Sequence, residues 1–326
     1  MQSLAVIGAG ISGLTVASQL KQYFNIKVFD KSRGVSGRMS TRSALPYRFD
    51  HGAQYFKVRE PQFAHFIHTA IELGLVAEWH PRVVELAPDG INPVINEQPW
   101  YVASPTMTAL NKALASDCDI QLNQRVQALE FVAGQWQLVN DAGQSLGSYD
   151  FVISAIPQPQ LAMLCPEMVA ADNALASVAM SGCYSLMLGC SAQQLPDFDF
   201  ARVSGSPIGI ISNNSSKPGR EDAPSVVVQS TNHWAEQMID QPLEDVEQYL
   251  IEELSRQTAI DYQTLDYSTL HRWRYAFVNQ ALGASYYRHD TLPFAACGDW
   301  CLGARIESAY MSGFDLARAL MSESVS

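Results

Sequence analysis

The chain has 326 residues, long enough for one large core or two smaller ones, and 47% of them are hydrophobic against 17% charged. Its 21 basic and 33 acidic residues give a net charge of −12, which disfavours general nucleic-acid binding or an anionic membrane surface as partner. No apolar run is long enough to span a membrane, and six cysteines without metal-ligand spacing fit a reducing cytoplasm. Residues 4–7 read as a buried strand and run directly into Gly8-Ala9-Gly10-Ile11-Ser12-Gly13. Apolar residues to Leu20 then recur at helical spacing, and a second strand, 26–29, ends on Asp30. The three glycines serve different ends: Gly8 a tight turn, Gly10 room for a diphosphate, and Gly13 close helix–strand packing, helped by Ala17. The helix N-terminus offers about half a positive charge to an anion, and Asp30 is placed to accept ribose hydroxyls. This fingerprint leaves the choice between NAD and FAD open. The N-terminus is apolar but lacks a basic start, and removing it would delete the fingerprint, so it reads as structure and not as a signal peptide.

Residues 31–48 hold Lys31, Arg33, Arg38, Arg42 and Arg48, a dense cluster for an acidic chain. Gly34 and Gly37 loosen the backbone there, and Arg38 can grip a phosphate with two nitrogens; a solvated surface loop is the alternative. Phe49-Asp50-His51-Gly52-Ala53-Gln54-Tyr55-Phe56 follows. Together GAGISGLTVA, VFDKSRGVSGRMSTR and FDHGAQYF resemble the FAD-dependent amine-oxidase-like flavoproteins, and more narrowly the bacterial renalase-like oxidoreductases. The resemblance resumes at Trp273-Arg274-Tyr275-Ala276, at Gly298-Asp299-Trp300-Cys301 and at Ile306-Glu307-Ser308-Ala309-Tyr310-Met311-Ser312-Gly313. Ser36 stands where that family usually has a glycine, which puts the local backbone angle in question.

Further along, 61–74 carries Phe63, Phe66, Ile67, Ala70 and Ile71 at helical spacing, with His65 and His68 beside the stripe and no third metal ligand. Short strands at 83–86 and 94–95 precede Ser104-Pro105, which looks like a helix start running to about Ala115. Then come a strand at 119–122, the pair Arg125-Val126, a hairpin 128–139 turning at Ala133-Gly134, and a buried strand, 149–156. Strands at 184–188, 208–211 and 226–229 and a helix at 243–254 follow, and 213–220 looks like a mobile polar edge. Residues 181–184 are similar to the sequence around the covalently attached flavin of monoamine oxidases, but their mid-chain position marks a coincidence. If 271–275 is a strand, His271, Trp273 and Tyr275 share one face and Arg272 and Arg274 the other. A substrate border and a packed domain junction both remain open for them. A last strand at 293–300 contains Cys297, which with Cys301 reads as a pair of buried thiols or, alternatively, a redox pair. The final helix runs from Arg305 to about Met321.

The resemblance implies an α/β fold: a Rossmann-like FAD-binding domain (1–56, 102–160, 276–326) with a second, β-rich substrate domain (57–101, 161–275), as in the p-hydroxybenzoate-hydroxylase and amine-oxidase arrangement. It implies non-covalent FAD held by Gly8, Gly10, Ile11, Ser12, Gly13, Asp30, Lys31, Arg38, Met39, His51, Gly52, Ala53, Gln54, Val126, Ala155, Asp299, Glu307, Ser308 and Ala309. Val126 would meet adenine through its backbone, Asp299 the ribityl chain, and the last helix's N-terminus the flavin pyrimidine. No metal is expected. The implied reaction is hydride transfer from a small organic donor, such as an isomeric dihydro-NAD(P), to flavin N5, with O2 then giving H2O2. Gln54, Tyr55 and Trp273 would position the donor. The rivals are an amine or carotenoid-type oxidase or desaturase on the same fold, and a non-catalytic binding module. A small-molecule partner and a monomer or weak homodimer complete the expectation.

Overall fold

The computed structural model describes residues 1–220, 223–262 and 264–324. The elements that position the site are, in chain order, β1 (Ser3–Ile7), α1 (Ile11–Leu20), β2 (Asn25–Phe29), β3 (Thr41–Ala44), β4 (Tyr47–Asp50), β5 (Phe151–Ser154), β6 (Ala179–Gly189), β7 (Tyr267–Gln280) and α2 (Ile306–Ser324). Leu4 to Ile7 are buried on both faces, so β1 takes an interior place, paired in parallel with β2 on one edge and β5 on the other. Ile120–Gln121 extends this sheet beyond β2, and Phe294–Ala296 and Tyr287–Arg288 extend it beyond β5, making six strands. The apolar residues of α1 and α2 close one face. The two helices lie so near each other that a Cβ on Gly313 would collide with the Ser12 carbonyl.

The second sheet has seven strands, in the order β7, β6, Ser225–Ser230, Ile208–Asn213, Phe200–Val203, Val83–Ala87 and Gly90–Val94. Ser181 to Gly189 of β6 are buried without interruption, because this strand has a core on each side. Tyr184, Leu186 and Leu188 face the helices Asn232–Met238 and Leu243–Thr258. Met187 faces the β3–β4 hairpin, where it packs with Tyr47, Phe49 and Val227.

Several elements differ from the sequence-based expectation. The helix anticipated at Ser104 begins at Thr108. Ser104 instead closes a strand pair, its N–H donating to Leu75 O, and the peptide bond to Pro105 is cis. The 293–300 strand is shorter, Phe294–Ala296, and Asp299–Leu302 already forms a helical turn. The hairpin within residues 1–56 leans on the second sheet, and β7 continues past 275, so the two expected domains interlock there. Ser36 does adopt the glycine-like angle, with φ of 110°. The largest difference concerns 213–220. Asn214 and Lys217 are fully buried and Arg220 is 3% exposed, so this segment is an inner wall and not a mobile edge.

Candidate active site

The carboxyl ends of β1, β2 and β5 open onto a cavity of about 2150 Å³ that continues across to β7 and the Ser225–Ser230 strand. The three glycines after β1 divide their work as the spacing predicts. Gly8 has φ of +108°, and a Cβ there would sit 2.9 Å from Ala155 O; a Cβ on Gly13 would collide with Gly8 O. At Gly10 a Cβ would touch no protein atom and would point into open space, and Gly10 borders the cavity. Only this one of the three is free of packing duty, which is the cradle expected for a diphosphate. Asp30 anchors the loop by accepting the N–H groups of Ala9 and Ser32, each at 2.8 Å.

Most of the anticipated cofactor residues border this cavity: Ile11 and Ser12 at the start of α1, Lys31, Arg38 and Met39 after β2, and His51, Gly52 and Ala53 after β4. Val126, Ala155, Asp299 and Ala309 also line it, as does Trp273. Arg38 and Asp299, expected on a phosphate and a ribityl chain, grip each other at 2.8 and 2.5 Å across 261 positions of sequence. This bidentate pair ties the loop after β2 to the turn after Phe294–Ala296. Gly13 is behind the wall, as its packing requires.

Four side chains expected at the ligand are elsewhere. Gln54 is buried behind the wall, its Nε2 donating to Asp50 O and Gly52 O while its Oε1 accepts from Lys217 Nζ at 2.9 Å. Tyr55 stacks on Trp100, centroids 3.6 Å apart, in the apolar core beside the cavity. Glu307 accepts the N–H groups of Arg59 and Glu60 at 2.6 and 2.8 Å, and Ser308 Oγ accepts from Arg305 Nε. These two polar side chains hold neighbouring groups of the chain and do not face the cavity. The N-terminus of α2 still reaches it, through Arg305, Ile306 and Ala309.

β7 shows the expected alternation. Arg272 reaches the Ile239 carbonyl and Arg274 reaches Asp240, on one face. On the other, Trp273 donates to His51 O at 2.8 Å and stacks on the His51 ring, with His271 edge-on to both. Burial, then the proximity of His271 and Arg42, push His51 to about 4; burial and Arg42 push His271 to about 4 as well. Both rings are therefore neutral at pH 7. Gly52 O, at the end of this group, accepts from Gln229 at 2.6 Å as well as from Gln54.

A buried ionic cluster that sequence reasoning missed supports this wall. Asp50, fully buried, receives Arg220 Nη2 at 2.8 Å, Lys217 Nζ at 3.5 Å, Thr41 Oγ1 at 2.6 Å and the Met107 N–H at 3.2 Å. Burial alone would raise the Asp50 carboxyl, but the two cations and these hydrogen bonds hold it below the usual carboxylate range. Burial, with Arg220 nearby, lowers Lys217 to about 8 against the pull of Asp50. The available signal was Asp50 itself, an acid between Phe49 and buried motif residues that must find a cation if buried. Nothing local says that 217 and 220 supply it.

Charge is strongly segregated in the cavity. Lys31, Arg33 and Arg38 border it from the loop after β2, Arg42 and Arg48 from the hairpin, and Lys112 and Arg125 near Val126. Arg272, Arg274 and Arg305 complete the basic set, whereas the acids on the wall, among the described residues, are Asp30 and the paired Asp299. A chain of net charge −12 thus presents a positive cavity, which focuses anions.

A family model for the NAD(P)-binding Rossmann-like domain matches residues 6–70, and one for flavin containing amine oxidoreductases matches residues 96–321. Renalase of Mus musculus is 24% identical over 335 residues, covering 91% of this chain and 92% of its own. Prenylcysteine oxidase 1 of Bos taurus is 32% identical over 105 residues, 31% of this chain and 20% of that one. A protein of Exiguobacterium assigned as a protoporphyrinogen oxidase has the same fold, with a TM-score of 0.79 at 12% identity over 99% of both chains. Wild-type putrescine oxidase bound to putrescine gives 0.72 at 11% identity, over 98% of this chain and 99% of that one. The Gly10 cradle, the two helix N-termini and the length of the cavity, which Val126 also lines, suit a flavin dinucleotide. The chain belongs to the flavin containing amine oxidoreductase family and is a renalase-like, FAD-dependent oxidoreductase.

Proposed function

We propose that this chain is an oxidase of a dihydropyridine, an isomeric dihydro-NAD(P), with O2 as acceptor. Bound FAD would supply the redox chemistry, a two-electron oxidation of the dihydropyridine to an oxidised nicotinamide with O2 reduced to H2O2. The observation that carries this reading is the cavity's positive wall, which attracts a phosphate-bearing dinucleotide and repels a protonated amine. The rival amine oxidase would have to bind its cation among ten basic residues, of which Arg38, Arg125 and Arg274 are paired with Asp299, Asp141 and Asp240, and with Asp30 the one remaining acid on the wall among the described residues.

The chain's own part is binding and orientation. Gly10, Ile11 and Ser12 would receive the diphosphate, Asp30 and Val126 the adenosine end, and the α2 N-terminus the pyrimidine edge of the ring. Trp273, stacked on His51, would offer the donor an aromatic face, and burial keeps the His51 ring uncharged. No acid or base is needed for the hydride itself, since donation to a flavin requires stacking at near-attack distance. Non-covalent attachment is supported by Cys183, the one cysteine on the cavity wall among the described residues. Burial raises its thiol to about 11, which leaves it protonated and unreactive. Free thiols and the absence of a long apolar helix among the described residues are compatible with a cytoplasmic place. Residues 1–56, 102–160 and 276–326 would form the FAD-binding domain and the remainder the substrate domain.

Anaerobic mixing with a panel of dihydropyridine isomers and amines tests the reading. Loss of the flavin's visible absorbance with a dihydropyridine isomer, and recovery with H2O2 on admitting air, is expected. Bleaching by an amine and by no dihydropyridine would overturn it.

A further inference from the structure

Several cations on the cavity wall are already engaged. Arg38 is paired with Asp299, Arg274 with Asp240, and Arg272 with two carbonyls. Arg42 is different. It sits on β3, half-buried, and its guanidinium meets only neutral groups, Thr269 Oγ1 at 3.4 Å and His271 Nδ1 at 3.5 Å. Among the described residues no carboxylate pairs with it. Both contacts lie at the long limit of a hydrogen bond, so they orient the fork without saturating its five donors. A half-buried guanidinium next to two neutral imidazoles is an incomplete arrangement, because a charge drawn out of water needs a counter-charge.

Its position indicates what completes it. Arg42 touches His271, whose ring is 4.3 Å from Trp273 and 5.0 Å from His51. It is therefore one side chain removed from the aromatic wall, on the side away from Gly10 and the Arg38–Asp299 pair. A donor whose ring rests on that wall would carry its next polar group past His271 to the guanidinium. Ser43 and Asn232 also border the cavity and offer neutral polar groups.

We propose that Arg42 is the anion-recognising residue for the substrate, taking a phosphate of the donor dinucleotide in a bidentate grip, separate from the anion site at Gly10. The proposal rests on the dihydropyridine reading above. It makes Arg42 a specificity residue: it favours donors that carry phosphate and disfavours cationic ones.

The test uses the flavin-saturated enzyme and Arg42→Gln, with Arg42→Lys as the charge-retaining control. Two donors of the same ring isomer are compared, a dihydro-NAD and an uncharged N-alkyl dihydronicotinamide. Arg42→Gln should lower the ratio of their kcat/KM values by ~10–100-fold, the loss of one charged hydrogen-bonded contact, with KM carrying the change. Arg42→Lys should restore part of it. A ratio that stays at the wild-type value, with both donors slowed equally or neither slowed, overturns the proposal. ADP-ribose, which has the phosphates but no reducing ring, separates the two readings. Its binding, followed by calorimetry, should weaken ~10–100-fold in Arg42→Gln whether or not any donor is oxidised. If ADP-ribose binds in this Arg42-dependent way while no dihydropyridine reduces the flavin, the anion site stands and the oxidase reading falls. If wild type does not bind ADP-ribose, the anion site falls.

Discussion

The two ends of the cavity are built from different material. Beneath Gly10 the wall is backbone, supplied by consecutive elements within residues 3–30 and closed by α2. Beside Trp273 it is side chains from widely separated places, such as the Trp273–His51 contact, which joins residues 222 positions apart. A backbone wall depends on glycine spacing, a local property of the chain. A side-chain wall depends on how β7, β6 and the hairpin register against one another, which only the assembled sheet defines. On the proposed reading the first kind would recognise a common diphosphate, and the second, which can be altered residue by residue, would set specificity.

The sharpest test of this contrast uses two valines in one motif. Gly10→Val should fold normally and purify colourless, because its Cβ meets no described protein atom and the side chain would fill space proposed for the ligand. Gly13→Val should lose about 3 kcal/mol of stability or more, because its side chain strikes the Gly8 carbonyl. Denaturant titration and visible spectra of both variants check the pair; a yellow Gly10→Val would remove the diphosphate from that spot.

At the other end, Lys217→Met leaves Asp50 with one cation in a fully buried site. A cost of about 3–5 kcal/mol is expected, read as a lower denaturation midpoint. A shift within error would mean that Arg220 alone satisfies Asp50.

Acid should expose the same end next. His51 and His271 bind protons more weakly folded, at about 4, than at their ordinary 6.5. Between those values the unfolded chain takes up protons that the folded chain refuses, so stability is complete above pH 6.5 and falls as pH drops toward 4. About 1–2 kcal/mol per histidine should be lost by pH 5, and His271→Asn should flatten that slope. An unchanged slope would assign the acid sensitivity to other groups.

The smallest effect is expected in the backbone half. Ser36 is buried at φ of 110°, and its hydroxyl has no hydrogen-bond partner among the described residues. Ser36→Gly should gain about 1 kcal/mol by relieving that angle, with flavin content unchanged. A loss of stability would show that the hydroxyl does matter there.

This difference in material also explains what could be read from the chain. The strand–glycine–helix–acid unit was legible because turn, packing and helix start are set within a few residues; that six strands would join its sheet, Tyr287–Arg288 among them, was not. Of the residues expected at the ligand from the motif at 49–56, His51, Gly52 and Ala53 border the cavity, but Gln54 and Tyr55 do not. Period-two alternation says which residues share a face only inside a strand, and both lie beyond the end of β4. Gln54 turned inward to satisfy Asp50 O, Gly52 O and Lys217. Residues 213–220 were misjudged because asparagine, serine, glycine and lysine read as solvent-facing on average. One buried carboxylate 167 positions upstream of Lys217 reversed that average.

The interleaving of segments also sets an order of assembly during synthesis. The glycine fingerprint is synthesised well before its neighbours: β1 gains its second one only when β5 arrives, and β5 gains its own only with Phe294–Ala296. The helix that presses against Ser12, Ile306–Ser324, comes later still, the last of the described elements. Pairings of such long sequence separation form slowly, and the unfinished sheet edge stays open to chaperones or to other chains until they do. A nascent chain therefore carries the glycine motif long before the elements that enclose it have been made.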